Sequence, residues 1–238
     1  MNALKQMVWV AALVVILGSV APAAMLYAPS DGDDATYRAA ISSLIGEPVD
    51  YFDARAGTPT LGLMQAYDSV YTYPNWTYAD MTVMGNTLAD YVDSGGRVIL
   101  GAWCTYTLGN YLDGRIMGAG YSPVTSPTGD NHVSSQAYAG DGSVLHGGVV
   151  AYNGVYRDEL VLQGAGVLEA TYDDGEIAVA YRPDFGVIYT NGGGSASHEG
   201  TGDWPQLIAN CHNVPEPATL ALVGLGLAGL VARRRRMT

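Results

Sequence analysis

The chain holds only two cysteines and four histidines, so its capacity for thiol and imidazole chemistry rests on a handful of positions. Cys104 follows the apolar run Val98-Ile99-Leu100 and the small pair Gly101-Ala102, which places a thiol just past a strand. Such a thiol becomes a nucleophile only when a base, itself held by a third group, comes within hydrogen-bond reach. His198-Glu199 supplies both partners in the order Cys, His, Glu, and His146 is a second candidate base. Neighbouring residues in extended chain point to opposite faces, however, so the His198-Glu199 pair is poorly arranged for relay. Cys104 has a competing use. In an oxidising compartment it can pair with Cys211, and a disulfide closing a loop of roughly a hundred residues contributes a few kcal/mol by restricting the unfolded chain. Two free thiols are the remaining state. A bonded Cys104 cannot be a nucleophile, so these readings exclude one another.

Metal chemistry has little support. His132, His146, His198 and His212 show neither i, i+4 pairing nor Cys-x-x-Cys partners, so no metal and no cofactor is expected. Asp31-Gly32-Asp33-Asp34 lacks the spaced carboxylates and terminal Glu of a calcium loop, and reads as a helix cap. Asn75-Trp76-Thr77 is formally a glycosylation triplet but reads as a turn.

The elements that must position these residues alternate along the chain. Met25 to Ala28 is a short apolar strand, and the Asp-rich loop after it caps a helix over 35–45. Further strands are expected at 48–52, 69–73 and 98–100. A weak helix at 61–66 and a strong one at 81–93 separate them, the latter with Met81, Met84, Leu88 and Val92 on one face and Ser94-Gly95-Gly96 at its end. This βαβαβ order implies a doubly wound, mostly parallel sheet. The second half changes character. Residues 114–142, rich in Gly, Ser, Pro and Thr, read as an irregular excursion. A β-hairpin follows, with strands at 167–172 and 177–182 joined by Asp173-Asp174-Gly175-Glu176, then a last core strand at 186–190 and a short helix over 204–210 that begins Trp204-Pro205.

The segments Tyr67-Asp-Ser-Val-Tyr-Thr-Tyr73, 89–100, 173–181, 186–191 and 204–210 resemble the class I glutamine amidotransferase-like superfamily, closest to its trehalose-utilisation-like and other non-amidotransferase branches. The resemblance implies a flavodoxin-like fold for the body. In active members it also implies a nucleophilic Cys on a sharp strand-to-helix elbow flanked by small residues. This chain departs from that pattern: Trp103 precedes Cys104, Tyr106 stands where the elbow wants Gly, and His198 adjoins Glu199 instead of standing two residues away.

Both ends carry sorting signals. Lys5, the apolar stretch 8–20 and Ala21-Pro22-Ala23-Ala24 have the order of a cleavable signal peptide, so residues 1–24 are expected to be removed by signal peptidase. The other end reads Val214-Pro215-Glu216-Pro217, an apolar run at 218–232, then Arg233-Arg234-Arg235-Arg236. As a transmembrane helix that run would span only ~22 Å, short of the roughly 30 Å hydrocarbon core, and the arginines favour the cytoplasmic side. The three features in this order resemble the PEP-CTERM sorting signal, which implies processing by an exosortase in a Gram-negative bacterium after transient anchoring in the inner membrane.

The body between these ends, residues 25–213, holds six arginines and no lysine against 22 carboxylates, a formal charge of −16. Nucleic acid is excluded as a partner on that ground. Tyrosine is abundant, 17 against two phenylalanines, giving rings that are apolar on the face and hydrogen-bonding at the tip. The expectation is an exported cell-surface or extracellular-matrix protein, non-catalytic and associated with exopolysaccharide or biofilm. The alternatives are a degenerate hydrolase using Cys104 with His198 or His146, and a carbohydrate-binding module using Tyr and Trp faces at the strand C-termini.

Overall fold

The computed structural model describes residues 24–193, 195 and 200–214. The expected signal helix at 1–24, all but Ala24, and the tail from Pro215 onward lie outside the described residues, as do His198 and Glu199. No helix among the described residues is long and apolar enough to cross a membrane.

The first half follows the alternation in the sequence. Strand β1 (Met25–Tyr27) leads through helix α1 (Ala35–Ile45) to β2 (Val49–Tyr51), then α2 (Leu61–Met64), β3 (Ser69–Thr72), α3 (Met81–Asp93) and β4 (Arg97–Leu100). Each helix begins on a side-chain oxygen that satisfies an orphan amide. Asp34 accepts from Tyr37 N–H at 2.9 Å, Thr60 from Leu63 N–H at 3.2 Å and Asp80 from Val83 N–H at 2.9 Å.

The hairpin strands β9 (Val167–Thr171) and β10 (Ile177–Tyr181) are joined by β11 (Val187–Thr190) to complete a seven-stranded sheet in the order β2-β1-β3-β4-β11-β10-β9. The first five strands run parallel, and β10 and β9 are antiparallel additions at one edge. That parallel core has the flavodoxin-like order, with a switch point where β1 lies between β2 and β3. Helix α4 (Trp204–Asn213) closes the chain against the sheet.

Alternation of side chains along these strands divides the core in two. Met25, Tyr27, Tyr71, Ile99 and Ile188 face α1 and α4, where Tyr37, Ile41, Leu207, Ile208 and Cys211 meet them. Leu26, Val70, Val98, Leu100 and Val187 face the other way, onto α2 and α3 through Met64, Met84, Leu88 and Tyr91. The tyrosines are largely core: Tyr27, Tyr71 and Tyr73 pack with ring centroids 5.6 to 6.0 Å apart, and the Tyr27 and Tyr73 hydroxyls bond to each other.

The expected irregular excursion is more ordered than its composition suggests. It holds a 3₁₀ turn (Arg115–Met117), β5 (Val124–Thr125) and the seven-residue β6 (Asn131–Ala137). β5 pairs with β8 (Val161–Leu162), while β6 pairs with β7 (Tyr152–Asp158), which in turn holds β12 (Thr201–Gly202). Composition hides β6 because it is an edge strand with exposed Val133, Ser134 and Ser135, so it carries no apolar alternation, and its bonding to β7 supplies its order.

The hairpin turn is where one residue type is required. Gly175 has φ +88° with nothing near the position of a Cβ, so substitution there strains the backbone without a steric clash. Gly175→Val is expected to cost about 1 kcal/mol or more, read as a lowered chemical-denaturation midpoint with unchanged slope. An unaltered midpoint would show that the turn tolerates another conformation.

Candidate functional site

The carboxyl ends of β1, β3 and β4 open on one rim, and the loops leaving them are tied together. After β1, Ser30 bridges Pro74 beyond β3, and Trp76 N–H donates to Ser30 O at 2.8 Å. Asn75 Nδ2 donates to Asp31 Oδ2 at 3.1 Å, Asn110 Nδ2 donates to Asn75 O at 2.9 Å, and Thr77 Oγ1 donates to Asn110 Oδ1 at 2.9 Å. The triplet Asn75-Trp76-Thr77 is thus a turn whose amide and hydroxyl are engaged with neighbouring loops.

Past β4 the chain makes a sharp elbow. Gly101 N–H still bonds to Thr72 O at 2.8 Å, but Trp103 then takes φ +68°, a conformation that bulky side chains rarely adopt. A buried carboxylate holds this turn. Asp158, at the end of β7, accepts from Thr105 Oγ1 at 2.6 Å, Thr105 N–H at 3.3 Å and the Tyr189 hydroxyl of β11. Asn191 fixes Asp158 in turn: its Oδ1 accepts from Asp158 N–H at 2.7 Å and its Nδ2 donates to Asp158 O at 2.9 Å. Burial raises the Asp158 carboxyl to about 6 against the hydrogen bonds from Thr105 and Tyr189 that favour its charge.

Cys104 lies one residue beyond the strained position and is fully buried in the core facing α3. Its Sγ lies 3.9 Å from Thr72 O. Burial pushes its thiol well above the ordinary value, and the Asp158 carboxylate adds to that, so the thiolate is disfavoured twice. His146, the alternative base, is elsewhere. Its Nδ1 lies 3.0 Å from Glu169 Oε1 and its Nε2 3.2 Å from the Tyr152 hydroxyl, and its ring stacks on Tyr138 at 4.7 Å. Glu169 is held below the usual carboxylate range: burial works to raise it, but His146 and the Leu145 and Ser143 amides outweigh burial. Leu145 and Tyr152 belong to the α1 and α4 side of the sheet, so the pairing of Cys104 with His146 is not formed.

The expected disulfide is also absent. Cys104 and Cys211 are both free and buried. Cys104 packs with the side chains that face α3 and Cys211 with those that face α1 and α4, so the sheet lies between them. A bridge demands Cα atoms within ~7 Å, which opposite faces of a layered domain do not offer. Burial raises the Cys211 thiol as well.

What the elbow builds instead is a cleft of about 270 Å³. Trp103, 8% exposed, forms its floor, and Tyr156 packs over that indole at 5.4 Å with the planes tilted by 55°. Tyr106, Pro74 and Val133 complete the apolar lining, and Asn75, Asn110 and Asn131 supply amides. None of the lining residues is charged. Trp76, the residue after Asn75, is 58% exposed. These residues share no common mark in the sequence, since they come from four separated segments. The signal that could have found them is the density of Trp, Tyr and Asn directly after β3 and β4. Among the described residues no group of three or more His, Cys, Asp or Glu side chains could hold a metal ion.

Comparison with known proteins bears on the tail and on the fold. Residues 213–236 match the PEP-CTERM protein-sorting motif, which implies an exported protein sorted by an exosortase. No curated protein matches the chain in sequence. Among solved structures, a protein described as a GMP synthase subunit, from Thermoplasma acidophilum, aligns with a TM-score of 0.54 at 9% identity, covering 82% of this chain and 94% of its own. A glutamine amidotransferase from Thermotoga maritima aligns at 0.48 and 9% identity, over 72% of this chain and 75% of its own. The carbohydrate deacetylase Agd3 aligns at 0.47 and 14% identity, over 71% of this chain and 29% of its own. At such identities the first of these likenesses shows an amidotransferase-like fold and nothing about activity.

Two outcomes follow from the site geometry. The intact mass of the protein is expected to be the same with and without reductant, and both thiols should resist alkylation until the chain is unfolded; a mass increase on reduction would place the cysteines together after all. Asp158 sets a pH dependence. Because its folded pKa of about 6 exceeds the ordinary 3.8, its contribution to stability is fully present below pH ~4 and is lost as pH rises through about 6. Unfolding free energies of the wild type and Asp158→Asn should therefore diverge across that window, the wild type losing a few kcal/mol relative to the variant. Parallel curves would mean that Asp158 titrates as an exposed carboxylate.

Proposed function

We propose that this chain is an exported, exosortase-sorted surface or matrix protein whose body performs no catalysis and binds a neutral glycan, in association with exopolysaccharide. The carrying observation is the elbow: its strained position is occupied by Trp103, and the thiol that follows is buried with a carboxylate behind it. Strain of this kind is kept where surrounding structure over-determines it, often at binding sites. Here it lays an indole on the floor of an uncharged cleft.

The chemistry of that cleft suits sugars. Aromatic rings offer apolar faces to the C–H faces of pyranoses, and the amide of Asn131, with the second N–H and lone pair left on Asn75 and Asn110, can donate to and accept from hydroxyls. A body with a formal charge of −16 repels uronate-rich or sulfated chains, which favours a neutral polymer. The degenerate-hydrolase alternative loses ground because neither burial nor charge leaves Cys104 able to form a thiolate. Signal peptidase removal of residues 1–24, transient residence in the inner membrane and final deposition at the cell surface complete this reading.

Binding is tested with the exported protein on a glycan array and by calorimetry against neutral and uronic-acid polysaccharides. Tyr156→Ala and Asn131→Ala, both at partly exposed side chains, should each weaken binding to a neutral glycan about tenfold, and Asn131→Ala should leave the melting temperature nearly unchanged. If the wild type binds no neutral glycan, or if both variants bind as well as the wild type, the cleft is not the site.

A further inference from the structure

The folded body does not stop short of the sorting motif; it runs into it. The motif match begins at residue 213, which is still the last residue of α4, and Val214 is only 8% exposed and packs into the core. One side chain ties down this end. Arg97, at the start of β4, donates through Nη1 to His212 O, through Nη2 to Val214 O at 2.7 Å and through Nε to Phe185 O at 3.2 Å. His212 is held from its other side, its Nδ1 lying 2.8 Å from Ser69 Oγ. A guanidinium is well suited to this, because its rigid fork can satisfy several orphan carbonyls at a helix end at once.

Proteases bind substrate as extended chain, through residues on both sides of the bond they cut. Here the residues immediately before Pro215-Glu216-Pro217 are helical or buried, so the N-terminal half of any such segment is withheld. We propose that Arg97 is a positioning residue for sorting: its clamp on the 212 and 214 carbonyls keeps the body docked against the motif and limits the rate at which the sorting enzyme engages the chain. This rests on the reading of the tail as an exosortase signal. Opening the clamp frees three residues of chain, ~10 Å when extended, and turns a docked junction into a linker.

The test follows conversion of full-length precursor to processed protein by pulse-chase in a host carrying an exosortase. Arg97→Met keeps the stem and removes the donors, and it should be processed about tenfold faster, the factor that one charge-assisted hydrogen bond is worth in an opening equilibrium. Inserting Gly-Ser-Gly-Ser between Val214 and Pro215 leaves the clamp intact, supplies the missing linker, and should give a similar acceleration even if the Arg97 variant folds poorly. Gly175→Val, which destabilises the body far from the tail, should be processed at the wild-type rate. The clamp is overturned if the insertion leaves the rate unchanged or slows it, or if Gly175→Val accelerates processing as much as Arg97→Met does. Wild-type processing that persists in an exosortase-null host would instead overturn the sorting reading and the clamp with it.

Discussion

A buried carboxylate joins the parts of this body that sequence leaves separate. Asp158 ends a strand of the small sheet, yet its Oδ2 is held by Thr105 of the β4 elbow and by Tyr189 of the central sheet, and Asn191 grips its backbone from both sides. Removing any of these donors would leave a charge in a low-dielectric interior with too few partners, which is far more costly than the net worth of one hydrogen bond. The network therefore sets the elbow, and the elbow sets the cleft. It also bears on Cys104, whose thiol burial already raises. The carboxylate that fixes Thr105 is the same one that adds to burial in opposing ionisation of the neighbouring thiol.

The central sheet imposes the second constraint. Period-two alternation sends successive side chains to opposite cores, and this decides the fate of both cysteines without any local feature of either. By sequence alone, Cys104 and Cys211 are an economical pair in an oxidising compartment. What sequence spacing does not contain is the side of the sheet on which the terminal helix packs. Helix α4 lies with α1, on the face away from α3, and that one choice of layer separates the thiols.

Legibility tracks how local the determining interaction is. The parallel strands, the two long helices and the Asp-Gly hairpin are readable because caps, apolar periodicity and a positive-φ glycine act within a few residues of one another. The seven-residue strand β6 escapes a sequence reading because its order comes from β7, some twenty residues on, while its own side chains are polar and exposed. The site is legible only in outline. The region just past β4 stands out as the place for chemistry, but the residue type expected there is the thiol. The strained conformation falls instead on Trp103, and the other walls of the cleft, Asn75, Asn131 and Tyr156, come from segments far from it in sequence, Asn75 held through Asp31 and Asn110 and the strand of Tyr156 through Asp158.

The two ends of the site-bearing sheet then divide the labour of the chain. At the carboxyl ends of the strands, the loops after β3 and β4 form an uncharged aromatic and amide cleft together with residues of β6 and β7; at the amino end of β4, Arg97 secures the last turn of α4 where the tail departs. Strand β4 connects them, with Arg97 at its start and the elbow past Leu100 at its end. Because a strand advances about 3.3 Å per residue, the tail's point of departure and the cleft floor lie on opposite ends of one rigid element.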